Sequence, residues 1–190
     1  MQAIFDNKTN ILNANLRATY DGHAIYTVRS SSGFRGRNIT ILEDANPLDN
    51  DQPYDRVVSR RKTRATHIVG AIHWKERILE VHGHRKPLAD IKRREGGMFS
   101  KTRLWQWSKD RPAYEIRHQH DEWTASPDSG MSIAGRFSVP FRPHLFTKSK
   151  PAELHLTQAA LTSDEVFLIL AFIYSEAKRQ ERTNIAPVDD

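Results

Sequence analysis

Cysteine is absent from the 190-residue chain. That excludes a disulfide framework, thiol nucleophiles and thiolate metal sites, and it fits a reducing compartment. Long apolar runs are missing too. None approaches the ~18 residues of a membrane-spanning helix, and residues 1–17 lack the charged start and apolar core of a secretory signal. The expectation is a protein with no transmembrane segment, cytoplasmic and peripheral at membranes at most, with a nuclear location as the alternative. Catalytic signatures are equally scarce. There is no Gly-x-Ser-x-Gly elbow, and Gly33-Phe34-Arg35-Gly36 has neither the Walker spacing nor the following helix of a phosphate-cradling loop. The chain reads as non-enzymatic, with no cofactor.

What the chain does have is charge. The 29 Lys+Arg against 23 Asp+Glu give +6, but the excess is concentrated. Residues 56–111 hold 16 basic and 5 acidic residues, a net of +11, which leaves −5 for the rest. The densest groups are Arg60, Arg61 and Lys62 with Arg64, then Arg85 and Lys86, then Lys92, Arg93 and Arg94. Such a face concentrates anions and docks phosphates of a lipid headgroup, a phosphorylated partner or nucleic acid. The plain alternative is a solvated surface. The Arg60 cluster also has the composition of a nuclear localisation patch.

Short segments with period-2 alternation recur along the chain, bounded by Gly, Pro, Asp, Asn or Ser. Strands are predicted at 13–19, 23–30, 37–43, 57–59, 66–74, 78–83, 88–93, 104–108, 113–118, 122–125, 132–139 and 154–157. Asp21-Gly22, Gly96-Gly97 and Asp128-Ser129-Gly130 supply turn chemistry between them. From Thr162 the pattern changes. Thr162 is the predicted N-cap, Glu165 completes a capping box, and residues 166–174 are apolar or aromatic at every position. Lys178, Arg179 and Arg182 suit the negative end of the helix dipole. A helix apolar all round must be enclosed by protein. The expected fold is therefore mainly β, a closed antiparallel barrel of about twelve strands around a C-terminal apolar helix. A single domain over 1–182 holds the central helix at 163–182, and 183–190 forms a tail. A filled lumen leaves a loop, a rim or the outer surface for any site.

The segments carrying a family likeness are Asn13 to Arg17, the run His23-Ala-Ile-Tyr-Thr-Val28 after the Asp-Gly turn, and Arg37-Asn-Ile-Thr-Ile41. Ala71-Ile-His-Trp74, the stretch ending at Trp105-x-Trp107, and the closing helix with its basic end complete the series. In this order they resemble the Tubby C-terminal-like superfamily, whose members include Tubby proteins, plant LURP-one-related proteins and phospholipid scramblases. More closely, the chain is similar to an uncharacterised family common in fungi within that superfamily. The resemblance implies a barrel wrapped around a hydrophobic helix. By analogy with Tubby proteins it implies phosphoinositide binding through surface cations, with Lys62, Arg64, Lys92, Arg93 and Arg94 chosen on charge density. Scramblases carry a membrane segment that has no counterpart here.

Histidine offers a second chemistry. The pairs His82/His84 and His118/His120 are spaced i,i+2, and on an extended strand each pair would present two imidazoles to one metal, with Asp121 or Glu122 as a carboxylate ligand. Partly exposed strand histidines near turns are the plain alternative. A small-molecule or metal site at a barrel rim is thus the second functional reading. A nucleic-acid role, with Trp105 and Trp107 as a stacking platform, is the third. For those tryptophans, core packing is the competing expectation. Trp74 and Trp123 are expected as caps at the barrel ends.

Overall fold

The computed structural model describes residues 1–34, 36–46, 67–94, 103–128, 130, 132–140 and 150–185. Seven strands run in chain order as an antiparallel meander. They are β1 (Gln2–Phe5), β2 (Ala14–Ala18), β3 (Ala24–Gly33), β4 (Gly36–Asp44), β5 (His67–His73), β6 (Ile78–Val81) and β7 (His84–Pro87). A four-residue helix, α1 (Leu88–Ile91), leads into a second meander. Its strands are β8 (Lys92–Arg94), β9 (Arg103–Gln106), β10 (Ala113–Gln119), β11 (Glu122–Pro127), β12 (Gly135–Ser138) and β13 (Glu153–Leu156), and α2 (Gln158–Ile185) follows. β1 pairs with β13, so both meanders belong to one thirteen-stranded antiparallel sheet with β7 and β8 as its edges.

Those edges are consecutive in the chain. Four helical residues advance only about 6 Å, so the sheet curls until its first and last strands lie on either side of α1. No β7–β8 ladder joins them among the described residues; the sheet is not closed by hydrogen bonds, unlike the continuous barrel expected. A side chain bridges the seam instead. Lys86 of β7 donates to the Trp107 carbonyl just past β9, at 2.6 Å, and lies over the Trp107 ring.

Alternation explains which face looks inward. Ala14, Leu16 and Ala18 of β2 are buried, as are Ala3 and Phe5 of β1, Gly135 and Phe137 of β12, and Leu154 and Leu156 of β13. Against this wall lies α2, buried at every position from Val166 to Ala177, which is how an all-apolar helix is satisfied. Phe167 packs on Trp105 and Trp107, Phe172 on Phe137, and Tyr174 between Trp74 and Trp105. Two glycines admit the helix. A Cβ on Gly70 would meet Leu170 at 2.8 Å and Val166 at 2.9 Å, and one on Gly135 would meet Leu156 at 2.7 Å and Phe172 at 3.1 Å.

Several sequence expectations are corrected. β1 and β7 were not predicted, and the strand expected at 88–93 is α1 followed by β8. Leu88 and Ile91 are both buried, an i,i+3 spacing that one helical turn presents to the core and a strand does not. The strand expected at 57–59 lies outside the described residues. The long apolar helix starts just after the kink at Asp164, close to the predicted start, and is preceded by a short helix that begins at Gln158. Thr157 caps that short helix, accepting from the Ala160 N–H at 3.4 Å, while the Thr162 hydroxyl donates back to the Gln158 carbonyl. Glu165 turns to Tyr26 instead of forming a capping box. At Asp164 the helical path breaks (φ −139°, ψ 23°), and its buried carboxylate accepts from the Tyr114 hydroxyl at 2.9 Å and from Arg111 at 3.2 Å.

Candidate anion-binding groove

Where the C-terminal turns of α2 leave the sheet, an open groove of about 730 Å³ is lined by β8, β9, β10, β11 and the helix. β8 contributes Lys92 and Arg94, β9 contributes Arg103 and Trp105, β10 contributes Arg117 and His118, and α2 contributes Lys178, Arg179 and Arg182. Seven lysines and arginines thus face one space, and none of its described lining residues is acidic. Strand alternation decides which of the predicted cluster takes part. Lys92 and Arg94 line the groove, whereas Arg93 between them is exposed and does not.

The pairing register concentrates charge further. Arg94 lies directly opposite Arg103, and Lys92 opposite Trp105. Like charges directly across an antiparallel pair repel. Some of the cations are neutralised within the protein. Glu176, with no exposed side-chain surface, accepts from Arg179 at 2.8 and 2.9 Å, from Gln180 at 2.8 Å and from the Trp123 indole at 2.8 Å. Arg117 pairs with Glu115 at 2.6 Å, and Lys178 with Glu181 at 2.7 Å. Lys92 has no carboxylate partner among the described residues. Its ammonium lies over the rings of Trp105 at 4.7 Å and Tyr174 at 5.1 Å. Burial, then repulsion from Arg103, Arg182, Arg77 and Lys178, pulls its pKa down to about 8. His118, packed against Trp123 at 4.8 Å, is held below the usual histidine range by burial and by Arg179, so at neutral pH it offers an uncharged imidazole.

The other described sequence candidates do not converge here. Arg60, Arg61, Lys62 and Arg64 lie outside the described residues. Arg85 is tied to Glu80 at 2.7 Å; outside the predicted clusters, Arg37 is held by Glu181 at 2.8 Å and stacks on Trp74. The histidine pairs do not obey the strand rule they were read by. His82 (φ 48°) and His120 (φ 49°) occupy left-handed positions in the two-residue turns of the β6–β7 and β10–β11 hairpins, so neither pair is two successive same-face strand positions. Among the described residues no group of three His, Asp or Glu side chains gathers to hold a metal. Trp105 and Trp107 are buried against α2, as the core reading expected, which leaves them no exposed ring face for stacked bases. Arg103 and Arg182 were not among the predicted ligands. They are nine and eighty-eight residues from Arg94 in sequence, and only the β8–β9 register and the emergence of α2 bring all three to one groove.

No family model, curated protein or solved structure matches this chain.

Proposed function

We propose that the protein is a non-enzymatic binding module whose rim groove takes an anionic, phosphorylated ligand, either a phosphoinositide headgroup or another phosphorylated partner. The observation that carries this reading is the groove's lining of seven cations and no described carboxylate. A cleft of one charge sign between low-dielectric walls focuses potential and attracts the opposite sign. Lys92 supports it: it has no carboxylate partner among the described residues and lies beside Arg103 and Arg182, and a bound phosphate would offset that repulsion.

In the same reading the curled sheet is a barrel of the Tubby-like kind. Its support is the short α1 link between the edge strands, the Lys86 bridge across the seam and the all-round burial of α2. Membrane contact, if the ligand is a lipid, is peripheral, since no helix among the described residues is long and apolar enough to cross a bilayer. Phe34, fully exposed at the tip of the β3–β4 hairpin, adds an apolar contact for such a surface. The test is flotation with phosphoinositide-containing vesicles across a salt series, with soluble inositol hexakisphosphate as competitor. Salt-sensitive, competable binding is expected, and absence of binding to both forms at low salt would refute the reading.

A further inference from the structure

Lys92 differs from the other described lysines. Lys86 donates to a backbone carbonyl, Lys178 pairs with a glutamate, and Lys8, Lys75, Lys109 and Lys150 are exposed. Lys92 is partly buried, with two aromatic rings against its amine and no hydrogen-bond acceptor for it among the described residues. It nevertheless lines the open groove beside Arg103 and Arg182.

Burial away from water and cationic neighbours are the two surroundings that convert a lysine from a fixed charge into a nucleophile, because both disfavour its protonated form, here against the attraction of the Trp105 and Tyr174 rings for the ammonium. The same arginines are placed to hold the anionic end of an incoming molecule, bringing the rest of it over the amine. We propose that Lys92 is a carbonyl-capturing amine, forming an imine with a small aldehyde or ketone that also carries a phosphate or carboxylate, the anionic group resting on Arg103 and Arg182.

The chemistry balances without a co-reactant. The nitrogen lone pair forms the C–N bond, the carbonyl π pair moves onto oxygen, and a proton passes from nitrogen to that oxygen to give a carbinolamine. The hydroxyl then leaves as water with a second proton from nitrogen, and the imine remains. Nothing is oxidised or reduced, and water reverses the step. The inference rests on the groove being an anion site, and it narrows the ligand to one with an electrophilic carbon.

The probe is limiting pyridoxal 5′-phosphate with the intact protein, followed by borohydride reduction and peptide mass spectrometry. Lys92 should carry the label about tenfold over any other lysine. Uncharged pyridoxal should label Lys92 about tenfold less, and inorganic phosphate should protect it. Lys92→Arg should remove the label, with circular dichroism reporting that the fold persists. Label spread over the lysines by exposure alone overturns the proposal. Phosphate binding by calorimetry without Lys92 labelling overturns the carbonyl chemistry and leaves the anion site standing. Equal labelling of Lys92 by pyridoxal and its phosphate, with no phosphate binding, overturns both.

Discussion

Arg94 and Arg103 are direct partners across the β8–β9 ladder, and both side chains line the same groove. A protein gains nothing in stability from two guanidinium groups in that relationship. Arg103→Glu should therefore raise the melting temperature of the ligand-free protein, since an opposite-charge cross-strand pair is favoured by roughly 0.2–1 kcal/mol over a neutral one. It should also abolish the stabilisation that inorganic phosphate gives the wild type. Melts with and without phosphate check both; a variant less stable than wild type and still phosphate-responsive contradicts the account.

Lys92 makes stability depend on pH in a stated direction. Its pKa is about 8 folded against an ordinary 10.5, so between those values the unfolded chain holds a proton that the folded chain has released. Stability contributed by this group therefore rises with pH across that window, and below pH 8 the burdened ammonium is a net cost. Lys92→Met should be more stable than wild type at pH 7, with the gap shrinking from pH 8 to 10. Thermal melts of the two proteins across that range measure it, and a gap independent of pH contradicts it.

Glu176 is the acceptor that lets Arg179 and Trp123 lie at the groove wall. Glu176→Ala leaves Arg179 and the Trp123 indole without their acceptor, and the loss of one partner of a buried pair costs on the order of 3 kcal/mol. Urea unfolding gives the stability change, and a shifted Trp emission reports the freed indole. A loss below about 1 kcal/mol would show the carboxylate to be dispensable.

Gly70 sets the approach of α2 to β5. Gly70→Ala places a methyl 2.8 Å from Leu170 and 3.1 Å from the Glu80 carbonyl, an overpacking expected to cost roughly 1–3 kcal/mol. At about 2–4 °C per kcal/mol for a domain of this size, the melting temperature should fall by several degrees. An unchanged melting temperature would mean that the helix is not seated where its contacts place it.

Much of the architecture is legible in the sequence because its signals are local. A run apolar at every position from 166 to 174 has one physical resolution, enclosure, and the helix is enclosed. Strand alternation is equally local, which is why β2, β5, β6 and β12 fall within predicted segments. The failures come where a local pattern fits two periods. Leu88 and Ile91 belong to a helical turn that the surrounding alternation disguised, and the i,i+2 histidines were read as strand neighbours although each pair has one member in a left-handed turn. β1 is four residues whose identity as a strand depends on β13, about 150 residues away. The groove divides in the same way. Lys92 and Arg94 lie in a visible basic cluster, and period-2 spacing alone would have separated Arg93 from them. Arg103 and Arg182 join through pairing register and helix placement, for which the sequence holds no short-range mark.

The most direct test of the central claim uses that separation. Isothermal titration of inositol hexakisphosphate compares wild type, Arg93→Glu and the double variant Arg103→Glu, Arg182→Glu, each verified as folded. The account predicts that Arg93→Glu changes affinity by less than about threefold, while the double variant loses at least about a hundredfold, since each charge-assisted contact removed is worth on the order of 1.5–3 kcal/mol. Equal losses in the two variants, or no loss in the double variant, would contradict a groove-centred anion site.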